Sequence, residues 1–234
     1  MDPRQRLIVA LDVSTAAAAR KIVAAVGHSA LAYKVGMQLY TAEGPSLVRE
    51  LVGSGHRVFL DLKYHDIPNT VAAAVREAAL LGVSMLTVHA SGGGKMLRAA
   101  VEAAQSRPDL LVLGVTVLTS MDDVELGKIG LREGVLDQVL RLAALALSNG
   151  CKGVVASAQE AAALREKLGE EFGSDFAIVT PGVRPAGSGP HDQMRIVTPA
   201  EAISAGASHI VVGRPITEAL DPAAEARAIL AQIG

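Results

Sequence analysis

Ionisable side chains stand at the ends of three short apolar runs. Asp12 follows Val9-Ala10-Leu11, Lys34 lies in Ala32-Tyr33-Lys34-Val35-Gly36, and Asp61 and Lys63 close Val58-Phe59-Leu60-Asp61-Leu62-Lys63. Side chains alternate between faces in an extended chain, so Asp61 and Lys63, two positions apart, share one face. Asp66 lies just beyond them. Carboxylates and ammonium groups gathered at one end of neighbouring strands satisfy one another, so each buried charge has a partner and the lysine keeps its proton. A positioned ammonium is a good general acid. It is a poor base, and it forms a Schiff base only when its proton affinity is lowered. Solvated loop charge would explain any one of these residues, but acids and lysines at the same end of otherwise apolar strands point to a site.

A second constellation is Ile210-Val211-Val212-Gly213-Arg214-Pro215. Gly213 lets backbone N–H groups approach an anion, and Arg214 can grip it with a guanidinium fork. The competing reading is plain loop chemistry. Other features carry less. Ser91-Gly92-Gly93-Gly94-Lys95 lacks the spacing of a phosphate-binding P-loop and reads as a strand-to-helix turn. His65 and His89 fall near the charged strand ends but form no metal-ligand cluster, so no metal site is expected. Cys151, the only cysteine, reads as a buried structural thiol and excludes an internal disulfide.

These residues need a frame that brings strand ends together. Runs rich in Val, Ile and Leu recur at 7–13, 31–35, 57–63, 85–90, 110–118, 153–157, 176–180 and 209–213 and read as buried strands. Between them lie stretches of helical period, among them 15–26, 71–81, 136–148, 158–168 and 222–233, with Gly82, Gly150 and Gly169 where helices should stop. Eight such units predict an α/β fold, a (β/α)8 TIM barrel formed as a single domain over residues 1–234. An open doubly wound sheet is the alternative. Active sites of the barrel fold lie at the C-terminal strand ends, and its last two loops often hold a phosphate. Residues 119–134 and 182–193 break the pattern, and the glycines and prolines of the second suggest a lid.

Composition narrows the partners. The chain has 234 residues and a formal charge of −2 without long blocks of either sign, so neither a nucleic acid nor a membrane surface is expected. Three tyrosines and three phenylalanines are too scattered for base stacking. The first apolar run stops at Asp12, too short for a signal peptide or a membrane span, which suggests a cytoplasmic protein.

The run Asp61-Leu62-Lys63-Tyr64-His65-Asp66-Ile67-Pro68-Asn69-Thr70 closely resembles the Asp-x-Lys-x-x-Asp-Ile-Pro-x-Thr motif of the orotidine 5′-monophosphate decarboxylases. Ala10-Leu11-Asp12, Lys34-Val35-Gly36, Val117-Leu118-Thr119-Ser120, Thr180-Pro181-Gly182-Val183-Arg184-Pro185 and Val212-Gly213-Arg214-Pro215-Ile216-Thr217 are similar to the bacterial members, in the same order along the chain. The resemblance implies a cofactor-free enzyme that turns orotidine 5′-monophosphate into UMP in pyrimidine biosynthesis. Lys63 would be the proton donor to C6, Asp61 the carboxylate beside the departing CO₂, Lys34 the bridge between ribose and the charge network, and Asp12 a ribose ligand. Asp66 and Thr70, with Ile67 between them, would reach into a neighbouring subunit's site, implying a homodimer with composite sites. Thr119 and Ser120 would lie at the pyrimidine edge, and Gln193, Gly213, Arg214 and Arg184 would serve the phosphate and the lid.

Two other functions compete. A sister enzyme that works on sugar phosphates with Mg²⁺ shares Asp-x-Lys-x-x-Asp, but the Ile67-Pro68-Asn69-Thr70 continuation argues against it. A non-catalytic barrel that senses a nucleotide would bind UMP without turnover.

Overall fold

In the computed structural model, residues 2–185 and 197–234 are described. Eight parallel strands hydrogen-bond in sequence order and close on themselves, β1 (Leu7–Ala10), β2 (Ala32–Gly36), β3 (Arg57–Tyr64), β4 (Met85–His89), β5 (Leu111–Val115), β6 (Gly153–Val155), β7 (Ala177–Thr180) and β8 (His209–Val212). The closed barrel settles the choice against an open sheet. Described helices are α1 (Pro3–Arg6), α2 (Ala16–Val26), α3 (Met37–Glu43), α4 (Pro45–Gly53), α5 (Pro68–Leu80), α6 (Gly93–Ala103), α7 (Asp123–Lys128), α8 (Val135–Ser148), α9 (Ala158–Phe172), α10 (Pro199–Ser204), α11 (Arg214–Thr217) and α12 (Pro222–Ile233). Among the described residues no helix is long and apolar enough to cross a membrane.

Local chemistry starts these helices where the strands leave off. Side chains of Thr15, Asp122, Ser157 and Asp221 accept N–H bonds at the starts of α2, α7, α9 and α12, and Thr198 with Glu201 forms a capping box on α10. Proline opens α5 at Pro68, which sets its start three residues earlier than periodicity suggests. Gly82 and Gly150 follow α5 and α8 with φ of 82° and 89°. The expectation that a helix stops at Gly169 is corrected, because α9 runs through it to Phe172 and ends at Gly173, whose φ is 77°. A left-handed C-terminal residue, rather than any glycine, terminates a helix. Of Ser91-Gly92-Gly93-Gly94-Lys95, only Ser91 and Gly92 belong to the 3-10 turn (Ala90–Gly92) that joins β4 to α6, and Gly93 to Lys95 already form the first turn of α6.

Two apolar layers hold the barrel. The larger packs the outward side chains of the strands, such as Leu7, Tyr33, Leu60 and Leu86, against the helices. The smaller fills the barrel itself with Ile8, Ala10, Ala32, Phe59, Met85, Leu113, Ala177, Val179 and Val211. These inner residues share the parity of Asp12, Lys34, Asp61 and Thr87, so each polar group continues an inward-facing row. Space inside is tight near β6. A Cβ on Gly153 would stand 2.2 Å from the Ala177 carbonyl oxygen, and only glycine fits.

Several strands are shorter than the apolar runs. β5 stops at Val115 rather than 118, and just beyond it the Thr116 backbone N–H and hydroxyl both donate to the Val155 carbonyl, at 3.3 and 2.9 Å. Residues 119–134 contain the short α7 rather than a continuous loop. Of the second irregular stretch, Gly182 to Pro185 is described, and Val183 bridges in parallel to Val197 across the segment that lies outside the described residues.

Candidate active site

The C-terminal strand ends surround a cavity of about 730 Å³, within the range of about 300–1,000 Å³ usual for small-molecule sites. Asp12, Lys34, Asp61, Lys63, Thr119, Ser120, Arg184, Gly213 and Arg214 all line it, over apolar walls that include Phe59, Val115, Val155 and Val211. The two constellations read from sequence, charged strand ends and the Gly213-Arg214 turn, thus face one space. Gln193 lies outside the described residues. Asp66, Ile67 and Thr70 are not among the lining residues of this cavity and are exposed, Ile67 at 65%. The Asp66 carboxylate instead accepts the Ile67 backbone N–H.

Charge alternates along the wall. Lys63 Nζ donates to both oxygens of Asp61 at 2.9 Å, and Lys34 Nζ lies 3.9 Å from Asp61 and 2.7 Å from Asp12. Exposure grades the array, since the side chains of Asp61 and Lys34 are 13% and 12% exposed but that of Asp12 is 58% exposed. Asp61 is therefore the deep, desolvated end and Asp12 the wet one, and electrostatic interactions are stronger at Asp61.

Lys63 does not sit on a regular strand. Between Leu60 opposite Leu86 and Tyr64 opposite Val88, β3 advances four residues while β4 advances two. The surplus forms a bulge, and Lys63 has φ of 50°, alone among described non-glycine residues in being positive. Period two puts Asp61 and Lys63 on one wall, but the bulge gives Lys63 its aim. Thr87 on β4, fully buried, was not singled out from sequence, yet it bonds both residues: the Lys63 backbone N–H donates to its hydroxyl at 2.9 Å, and the hydroxyl donates to Asp61 at 3.0 Å. A threonine in an apolar strand looks like a simple β-former. Its shared parity with Met85, an inward-facing residue, was the available signal.

His65 and His89 stack with ring centroids 5.2 Å apart, and His89 Nδ1 lies 3.0 Å from the Ser91 hydroxyl. Burial, then the neighbouring His65 and Lys63, hold His89 below the ordinary histidine range, so its ring is neutral at pH 7. Cys151 is buried, and burial pushes its thiol up to about 12, which suits an inert packing role.

The profile of the orotidine 5′-phosphate decarboxylase / HUMPS family matches residues 5–229. The chain belongs to this family. It is similar to the orotidine 5′-phosphate decarboxylase of Halorhodospira halophila, with 55% identity over 229 residues covering 97% of this chain and 95% of the relative. The Moorella thermoacetica protein of the same name is 51% identical over 240 residues, covering 100% and 94%. Among solved structures, orotidine 5′-phosphate decarboxylase from Lactobacillus acidophilus superposes with a TM-score of 0.84 at 39% identity, covering 98% of this chain and 99% of that one. The resemblance first carried by Asp61 to Thr70 therefore extends along the whole orotidine 5′-phosphate decarboxylase scaffold.

Proposed function

We propose that this chain, as one barrel domain over residues 1–234, converts orotidine 5′-monophosphate to UMP and CO₂ in pyrimidine biosynthesis without metal or coenzyme. The observation that carries the reading is the Asp12–Lys34–Asp61–Lys63 array on the wall of a cavity that also presents Gly213 and Arg214. Breaking the bond from C6 to the carboxylate leaves an electron pair on C6, with no adjacent carbonyl to receive it. Stabilisation must come from charge already in place, and Lys63 Nζ supplies it and then gives a proton to C6. Asp61 lies beside the departing carboxylate. At an effective dielectric near 20 two like charges at 4 Å repel by about 4 kcal/mol, which CO₂ loss relieves, although such ground-state effects contribute only as far as the transition state escapes them.

Lys34 and Asp12 hold the ribose, Thr119 and Ser120 meet the pyrimidine edge, and Arg214, Gly213, Arg184 and Gln193 hold the phosphate. Binding the phosphate far from C6 converts remote binding energy into catalysis. Asp66, Ile67 and Thr70 complete a neighbouring subunit's site in a homodimer. Their exposure outside this chain's own cavity supports that role. A cytoplasmic location fits a chain whose single, buried cysteine can form no internal disulfide.

Ultraviolet absorbance of orotidine 5′-monophosphate in EDTA tests the reading. Conversion to UMP at a rate insensitive to chelator is expected, with Lys63→Ala binding UMP but losing turnover by on the order of 10⁴-fold or more. Chelator-sensitive chemistry would favour the Mg²⁺ sugar-phosphate reading, UMP binding without turnover a sensing barrel, and a tenth of wild-type activity in Lys63→Ala would remove the proton-donor role.

A further inference from the structure

Lys63 is held at both its ends by one closed ring of hydrogen bonds. Its backbone N–H donates to the Thr87 hydroxyl at 2.9 Å, that hydroxyl donates to Asp61 Oδ1 at 3.0 Å, and both Asp61 oxygens accept from Lys63 Nζ at 2.9 Å. A hydroxyl has one proton to give, and here it goes to Asp61 while the oxygen takes up an N–H released from the ladder by the bulge. Thr87 is fully buried, so water does not replace it. The φ of 50° at Lys63 is a sparsely populated conformation for a side-chain-bearing residue and persists only where the surroundings hold it.

We propose that Thr87 is a positioning residue that fixes the bulged backbone of Lys63 and the orientation of Asp61 through a single hydroxyl group. The inference rests on the proposed roles of Lys63 and Asp61. When Lys63 Nζ swings from Asp61 toward a substrate carbon, Asp61 loses two of its hydrogen bonds. The Thr87 bond remains and keeps the carboxylate from following the ammonium. At the same time the N–H bond at the root of Lys63 anchors the base of the moving side chain. Misplacement of a reacting group by about 1 Å can cost on the order of 10²-fold in rate.

Thr87→Val keeps the shape and removes both bonds. The expected result is a kcat lowered about 100-fold with KM changed less than about threefold, while Thr87→Ser, which retains the hydroxyl, stays within about tenfold of wild type. A merely structural role would lower the unfolding midpoint without this split between kcat and KM. Should the valine variant not fold, Thr87→Ser and Thr87→Cys carry the comparison, since they differ in shape little but exchange a hydroxyl for a weakly bonding thiol. The serine variant is then expected to be at least about tenfold faster, and equal rates overturn the proposal. Lys63→Ala measured alongside separates the two ideas. If it retains a tenth of the activity, the reading of Lys63 fails first. If it is inactive while Thr87→Val keeps more than about a third of kcat, only the role of Thr87 fails.

Discussion

Gly36 owes its place at the end of β2 to space and not to backbone freedom, since its φ is −95°. A Cβ there would come 3.0 Å from Lys34 Nζ and 3.2 Å from Asp12 Oδ1, inside the ion pair that lines the cavity. What stands in the way is the far end of a flexible side chain, so Gly36→Ala should fold with stability within about 1 kcal/mol of wild type. Displacing Lys34 from Asp12 should nevertheless lower kcat/KM about tenfold. Urea unfolding and steady-state kinetics on the same preparation check both halves, and an unchanged kcat/KM would show that the placement of this pair does not matter. The pair itself was legible, because Asp12 and Lys34 interrupt apolar strands. The bulge was not, because the sequence from Leu60 to Tyr64 has no glycine to mark a left-handed residue at Lys63. A tertiary bond from Thr87, distant in sequence, supplies what local preference does not.

The elements themselves could be read because each strand had to be buried on both faces and each helix on one. Every one of the eight apolar runs coincides with a strand, and the errors lie at the ends, where β1 and β5 stop short of their runs and β2 and β3 extend one residue past theirs. At the opposite, N-terminal end of the barrel the sequence left one cost hidden. His209 opens β8 with 3% exposure, and burial, then Arg57 and Arg6, push it down to about 4. The folded chain thus keeps this ring neutral while the unfolded chain protonates it below its usual value of about 6.5. Between those two values the unfolded state binds the extra proton, so stability is complete above pH 6.5, falls as pH drops toward 4 and then levels off for this group. The loss should be on the order of 3 kcal/mol, from the size of the shift. Urea midpoints at pH 7 and pH 4.5 for wild type and His209→Gln test it. A pH dependence as steep in the variant as in wild type would assign the acid sensitivity to other groups.

At the scale of the whole molecule, the cavity gathers its charged wall from β1, β2 and β3 and its Gly213-Arg214 turn from the end of β8, which a closed barrel makes neighbours through the pairing of β1 with β8. An open sheet would leave these elements apart. Closure alone does not bring in the start of α5, where Asp66, Ile67 and Thr70 are exposed and do not line the chain's own cavity although they continue the same motif as Asp61 and Lys63. A motif split in this way makes sense if its second half serves another copy across a twofold axis, where each chain gives what it receives. Asp66→Ala and Lys34→Ala chains should each be nearly inactive as homodimers. Co-expressed in equal amounts they should form hybrids in about half of the dimers, each with one site that has Lys34 from one chain and Asp66 from the other intact. Activity should then recover to about a quarter of wild type, as one site in two of half the molecules works. Recovery to that level, proportional to the hybrid fraction separated by a charge tag, would require sites shared between subunits. Activity no higher than that of the parent variants, with hybrids demonstrably present, would place a whole site in each chain and return the second half of the motif to a structural role at the head of α5.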